Sequence, residues 1–453
     1  MDDSNNAVHS VEDDKSVLSK IIKMVLINII CYILAYAVNV LISKYTTASQ
    51  YGRYGLITNS IITVAGFIIF GFDEGAEYFV SLYAGMKKWS KLRGFFIFIV
   101  KFFLFLIIPF VAISLLFHAT HLLHGDFSSV EKAFATIESA HPMLLFAWVV
   151  PLFAIMLVTT PLLSTLNGQL PAQIIAWIIF PLVQLLIIFF CFFVLGRVHI
   201  HYTIYAYGIG LLVAVVLQGW SIKKRLPGNV WQVEPQVEQT AWVNYLFPVF
   251  LFNLLFYGID TSVLWLLKFF HDQKAFLGYY TAILAIGNYF MNFAIASLVT
   301  IFDIHVAPLW AEKNYPQLQK VVNKAFYILA SASLIFCLYV IIFGKKLLAN
   351  FGASYVYAYP ALIIYTVSAC LNTATFMWQS LLNYADEVYS LVKSYGIAYA
   401  ILVLGVASAS ILHLGFTHIM IGYGLFQFAF FLGNLFFIWK KMRPIRAFPI
   451  GAL

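Results

Sequence analysis

Charge is what this chain has least of. Asp, Glu, Lys and Arg make up 10% of its 453 residues, against about a quarter in an ordinary soluble domain. A globular chain in water could not cover its surface with so little, so that class is excluded. Cysteine is scarce as well. Cys31, Cys191, Cys337 and Cys370 each fall in an apolar run with no CxxC spacing, which speaks against a disulfide framework or a thiolate metal centre and for small buried packing residues. Walker A, GxSxG, HExxH and EF-hand patterns are absent, and no loop is long enough for a soluble catalytic domain; the chain therefore reads as a non-enzyme without a cofactor. The acidic stretch Met1–Asp14 lacks the basic region of a cleaved signal peptide. It reads as a disordered tail in front of a retained first helix.

What fills the chain instead is hydrophobic sequence, 62% of all residues, with 18% aromatic. A helix needs about 20 apolar residues to cross a bilayer, and stretches such as Phe95–Phe117 and Ile174–Gly196 meet that with one charge or none. The runs predict twelve spans at 22–43, 55–82, 95–117, 142–165, 173–196, 202–220, 242–267, 276–304, 321–344, 356–382, 394–413 and 418–439. The expected fold class is all-α: a polytopic membrane protein of about 12 transmembrane helices in two pseudo-symmetric six-helix lobes. Residues 1–20 form an N-terminal tail, 21–220 and 241–440 the lobes, 221–240 the linker with Pro227, Gly228 and Pro235, and 441–453 a C-terminal tail.

Orientation follows from the basic residues. With the N-terminus inside, eighteen of the 27 lysines and arginines lie in cytoplasmic segments and eight outside, Lys101 being within a span. That bias places both termini in the cytoplasm. The net charge of +8 is thus mostly a topology signal, and no basic soluble surface exists for nucleic acid.

The halves echo one another at an offset of 226 residues. Gly52 and Tyr54 match Gly278 and Tyr280, and Lys87, Trp89 and Leu92 match Lys313, Tyr315 and Leu318, without a gap. Six spans per half give both halves the same sense in the membrane, the arrangement of a parallel repeat with a cavity between lobes that rock.

Polar residues inside spans are costly and usually face a cavity or a partner. In span 2, Asn59, Thr63, Gly66, Asp73 and Glu77 share one helical face; in span 8, Asn288, Asn292 and Asp303 do so; in span 7, Asn253 and Asp260; in span 1, Asn28, Tyr32 and Asn39. The offset pairs Glu77 with Asp303. Cavity-lining candidates for substrate are therefore Asn28, Tyr32, Asn39, Asn59, Lys101, Asn253, Asn288 and Asn292. Candidates for proton or cation coupling are Asp73, Glu77, Asp260 and Asp303. Against these stand simpler readings: solvation of Glu77 and Asp303 near the membrane surface, helix–helix hydrogen bonds for Asp73 and Asp260, and snorkelling of Lys101 to the headgroups. His118, His121 and His124, with His141, His199 and His201, lack the carboxylate or cysteine pattern that would complete a metal site. Ser128 and Glu131 have capping-box spacing in the longest outer loop, which predicts a short interfacial helix there.

The segment Tyr45–Gly55, with Gln50, Tyr51, Gly52 and Tyr54, resembles the turn between spans 1 and 2 of the polysaccharide-export flippases, the O-antigen translocase type of the multidrug/oligosaccharidyl-lipid/polysaccharide superfamily. Gly71, Asp73, Gly75 and Glu77 resemble the Gly-rich polar end of their span 2, and Lys87–Gly94 the basic loop after it. Asp260, Leu277–Tyr280 and Pro308–Leu318 resemble matching parts of the second half. The chain departs from the family where Gly258 and Ile259 stand in place of an arginine, and it has no intramembrane arginine. The resemblance implies a bacterial inner-membrane flippase that works as a monomer. Its implied cargo is an undecaprenyl-pyrophosphate-linked oligosaccharide for surface polysaccharide assembly. Membrane lipids, a polysaccharide polymerase and chain-length machinery are its implied partners. A MATE-like cation-coupled small-molecule exporter and a polysaccharide polymerase are the alternatives.

Overall fold

The computed structural model describes residues 3–124, 146–196, 199–270, 273–293, 302, 306, 309–310, 312–385 and 387–442. The expected interfacial helix at Ser128 and Glu131 lies outside them. Among the described residues every regular element is helical. Ten helices are long and apolar enough to cross a membrane, and an eleventh span is a helix pair bent by 46°. The expected eighth span is described as the shorter apolar stretch Ala275–Asn288.

Two compact units divide the chain: Ile42–Thr281, and Met1–Leu41 together with Ala282–Leu453. The first contains α2 (Ala48–Ile68), α3 (Phe72–Gly85), α4 (Trp89–His124), α5 (Val149–Leu163), α6 (Gln169–Ile174), α7 (Phe180–Phe189), α8 (Ile200–Arg225) and α9 (Gln239–Phe270). The second contains most of α1 (Asp3–Tyr45), the end of α10 (Ala275–Phe293), and α11 (Tyr315–Ala349), α12 (Tyr359–Ala374), α13 (Phe376–Tyr384), α14 (Val388–Ile411) and α15 (Phe416–Lys441). These bounds differ from the expected lobes by one helix in each half. α1 falls with the second half, where the Tyr36 hydroxyl donates to Leu347 O at 3.1 Å and its ring meets Phe351 edge-on. α9 falls with the first half, against α2 and α3.

In Ile42–Thr281, α2 starts on a capping box. The Gln50 amide N–H donates to the Thr47 hydroxyl at 3.2 Å, and Thr47 N–H to Gln50 Oε1 at 3.0 Å. That satisfies two backbone donors the helix end leaves open. α2 ends at Phe70 and Gly71, both with positive φ (49° and 79°), and α3 leaves at the 46° bend. The single span expected over 55–82 is therefore a broken helix. α5 packs against α2, α3 and α8, and α8 also against α7; Phe146, Val149, Ala154 and Leu163 are fully buried on the way. α5 gives way to α6 at Gly168 (φ −112°, ψ 28°), where an added Cβ would lie 2.6 Å from Leu163 O.

The linker after α8 is clamped onto the start of α4. Arg93 Nη1 donates to Trp231 O at 3.0 Å and Val233 O at 2.5 Å, and Gln236 N–H donates to Ser90 O at 2.9 Å. Lys91 pairs with Glu238, whose other oxygen accepts from the Tyr83 hydroxyl at 3.1 Å. Trp242 Nε1 donates to that hydroxyl at 3.0 Å. Gly94 is required here, since a Cβ would meet Gln236 O at 2.0 Å.

In the second unit, α14 and α15 cross where Gly405 and Gly422 let the backbones touch, a Cβ at Gly405 reaching Gly422 Cα at 3.0 Å. Small residues permit such approach between membrane helices, where no hydrophobic force favours one apolar neighbour over another. Ser394 donates to Phe430 O at 3.3 Å across the same pair.

The 226-residue echo extends to backbone geometry. Lys87 and Lys313 both hold positive φ, 54° and 56°. Lys87 N–H donates to Ala84 O and Lys313 N–H to Trp310 O; Lys88 N–H donates to Tyr83 O and Asn314 N–H to Leu309 O. Helices α4 and α11 then start at equivalent residues, Trp89 and Tyr315. A left-handed residue followed by a six-to-one bond is the Schellman termination of a helix, here built twice with lysine where glycine is usual.

Candidate functional site

The polar stripe of span 2 lies along the seam between α2–α3 and α9. Trp265 Nε1 donates to the Ser60 hydroxyl at 3.1 Å. One step along, Thr63 Oγ1 lies 2.5 Å from Tyr257 O and 2.7 Å from Thr261 Oγ1. Its single proton can serve the carbonyl while its lone pairs accept from Thr261. At Gly66 the Tyr257 ring occupies the space of a side chain, 2.3 Å from an ideal Cβ. Beyond the break, Asn253 Nδ2 sits 3.1 Å from each carboxylate oxygen of Asp73. The two helices run antiparallel, so each later residue of α2–α3 meets an earlier one of α9.

Asp73 is the centre of this seam. It stands in the first turn of α3, after the left-handed Gly71, and Glu74 follows it. Backbone N–H groups at a helix start favour a negative group. Asn253 is 4% exposed, so its amide is a fixed donor. The Gly71 conformation aims α3 at α9: a Cβ there would press on Leu246 O at 2.8 Å. An acid so placed accepts from an amide when charged and loses an acceptor pair when it takes up a proton.

Other candidates fall elsewhere. Asp260 Oδ1 accepts from the Tyr280 hydroxyl at 3.0 Å, and Tyr280 is fully buried. Asn59 returns its amide to Gly55 O of its own helix at 2.8 Å. Glu77 and Lys101 are exposed. Lys101 shares a face with Phe105 and Ile108, which are 76% and 62% exposed. In the second unit Asn39 is buried and donates to Ala35 O at 2.8 Å, Tyr32 stacks on Tyr36, and Asn28 is half-buried one turn earlier. Asn288 accepts from the Tyr365 hydroxyl. Tyr365 stacks on Tyr423, whose hydroxyl accepts from Gln427 Nε2 at 2.8 Å, and Asn372 Nδ2 donates to Gln427 Oε1 at 2.6 Å. Asp303 and the side chain of Asn292 lie outside the described residues.

Sequence reasoning singled out Asp73 and Asn253 without joining them. It missed Glu74, Tyr257 and Thr261 on the seam, and the chain Tyr365, Tyr423, Gln427 and Asn372. A hydroxyl or amide in a span was the available signal. Among the described residues no group of three or more His, Cys, Asp or Glu side chains is placed to share a metal ion. His201 is buried against Phe146, while His141 and the side chains of His118, His121 and His124 are outside the described set.

No protein-family model matches the chain, and neither does any curated protein. Solved structures do. An inward-facing multidrug resistance MATE family transporter of the MOP superfamily aligns with TM-score 0.67 over 94% of this chain and 98% of its own, at 14% identity. The eukaryotic MATE transporter AtDTX14 aligns with TM-score 0.66 over 95% and 96%, at 12% identity. The chain has the MATE-transporter fold. A MOP superfamily transporter from Pyrococcus furiosus, described as having a binding pocket of reversed polarity that suggests a different function, shares it at TM-score 0.61 over 94% and 95%, with 15% identity. At such identities the likeness is one of fold.

Proposed function

We propose that the chain is a cation-coupled secondary exporter of small organic solutes. The observation that carries this reading is a membrane-embedded acid, Asp73, held by Asn253 at a helix break, in a fold shared over 94% of the chain with a multidrug resistance MATE family transporter. Proton or cation binding at Asp73, with Asp260 as a second acid, biases the exchange between inward- and outward-open states. It can do so only by as much as its affinity differs between them. Breaking the helix beside the acid supplies a means, since α3 can turn about Phe70 and Gly71 while α2 stays docked on α9.

A second reading is favoured by one observation, the likeness of Tyr45–Gly55 to the flippase turn. There the cargo is a lipid-linked oligosaccharide, and the polar residues of the spans replace the water around its sugars while the prenyl tail stays in lipid. On this second reading the membrane is the bacterial inner membrane.

Two assays test the pair together. Purified protein in proteoliposomes is given a proton or sodium gradient and a panel of fluorescent organic cations. Separately, the leaflet location of lipid-linked oligosaccharide is measured in depleted cells. Gradient-driven dye movement with normal glycan lipid supports the exporter. Cytoplasmic-leaflet accumulation without dye movement replaces it with the flippase. Movement of neither cargo overturns both.

A further inference from the structure

We propose that the end of α8 carries a binding site for the phosphate headgroup of an anionic phospholipid. A cavity of about 430 Å³ lies there, lined by Pro171, Trp220, Ser221, Lys224 and Arg225. Two of its five residues are cations and none is acidic. Arg225 Nη1 donates to Ser221 O at 3.3 Å, which fixes the guanidinium plane by capping its own helix and leaves further N–H groups for a ligand. Lys224 Nζ stands 5.4 Å from the centre of the Trp220 ring, so its ammonium is held beside the cavity by a cation–π contact. Among the described residues the ion pairs are Lys91 with Glu238 and Lys441 with Glu387; neither Lys224 nor Arg225 meets a carboxylate.

The same face of α8 is built for an acyl chain. Ile209, Leu212, Val216 and Trp220 follow at steps of three and four and are 41%, 46%, 60% and 63% exposed. In a spanning helix an exposed apolar stripe faces hydrocarbon, and tryptophan marks its boundary with the headgroups. Lys224 is the next residue on that stripe. The sequence of chemistry along the face is thus hydrocarbon contact, interfacial ring, then paired cations over a concave space. That order matches a lipid read from tail to phosphate. Free phosphate would use the cations alone and leave the stripe without a role. A zwitterionic headgroup would bring a quaternary or primary amine to a cavity that offers it no acid. The proposal does not depend on the cargo, because all its residues lie outside the α2–α3–α9 seam.

The test uses the full chain, purified in detergent and titrated with phosphatidylglycerol, phosphatidylcholine or inorganic phosphate while bound molecules are counted by native mass spectrometry. Each lysine or arginine near an anionic lipid surface contributes about fivefold in affinity. The double variant K224Q/R225Q is therefore expected to lose about twenty-fivefold for phosphatidylglycerol. K224R/R225K should retain binding, and K440Q/K441Q, which removes the same charge from the end of α15, should leave it unchanged. Equal retention of both lipids by the wild type would overturn the site. So would an unchanged K224Q/R225Q, an equal loss in K440Q/K441Q, or displacement of the lipid by equimolar inorganic phosphate, which would assign the cavity to a soluble anion.

Discussion

At the scale of single residues, the contact between Asp73 and Asn253 separates fold from function. Replacing Asn253 by Leu removes the donor that faces both carboxylate oxygens. Asp73 is half-buried, and leaving such a charged group without its donor costs about 1 kcal/mol, so N253L is expected to lower thermal stability in detergent and to weaken transport together. D73N keeps the shape and an amide that can pair with Asn253. It should hold stability within about 1 kcal/mol of wild type while abolishing dependence on the cation gradient. If D73N stays gradient-driven and E77Q does not, coupling belongs to the exposed acid and the seam is structural. Outside the spans, the Lys91 ammonium and the Tyr83 hydroxyl hold the Glu238 carboxyl below its usual range. A carboxyl lowered in the folded state stabilises above its unfolded pKa, about 4.3, and that contribution disappears as pH falls through the lower folded value. Wild-type melting temperature should accordingly drop more steeply than that of E238Q below about pH 4.3. Parallel acid limbs would mean the clamp between linker and α4 does not depend on this pair. Asp73 was legible in the sequence because an acid in an apolar run stands out. Its partner was not, because any of several span amides could have met it and only the antiparallel register of α9 selects Asn253.

At the scale of elements, glycine marks where helices must touch. Gly52 and Gly278 are equivalent in the repeat, and they pack on each other: a Cβ on Gly52 would lie 2.5 Å from Gly278 N, and one on Gly278 would lie 2.1 Å from Ala48 O. The obstacles are backbone, so a side chain can enter only by moving a helix. G52V and G278V are each expected to destabilise by about 2 kcal/mol, in the range of overpacked cores, and their double variant by less than the sum because one displacement relieves both. Strict additivity in a thermal-melt series would show that the two positions do not share a contact. The paired turns give a second check. Valine at Lys87 or Lys313 would add β-branching to the left-handed strain that lysine already bears, at about 0.5–1 kcal/mol more, and the two losses should agree. Asparagine, which tolerates that region, should be close to neutral at both. Helix positions and the repeat were readable because apolar length and offset matches are local properties of the chain. The bend inside the second span was not readable, because it comes from Phe70 and Gly71 together adopting positive φ, which no hydropathy window records.

For the whole molecule, the packing of α1 with the second half and α9 with the first was not legible, since chain order suggests that neighbours in sequence share a lobe. Tyr36 with Leu347 and Phe351, and the seam of α9 along α2 and α3, run against that order, and neither set of contacts can be read from apolar length or offset. Side of the membrane is a different matter, because crossing number fixes it whatever the packing. The twelve-span topology expected from the sequence puts six crossings between the basic end of α8 and the basic end of α15, and so predicts that both ends face the same compartment. On the same count Lys345 and Lys346, three crossings after α8, are expected to face the other. Cysteine substitution tests this directly on intact cells. Three of the four native cysteines are buried and Cys337 is half-buried within α11, so background labelling is low. A membrane-impermeant maleimide is expected to label K345C from outside and to leave K223C and K440C unmodified until the cells are opened. Labelling of K223C and K440C with K345C protected would turn the molecule over and reverse the direction of any export. Opposite behaviour of K223C and K440C would mean an odd number of crossings between them, and with it the loss of the parallel repeat on which the proposed alternating access rests.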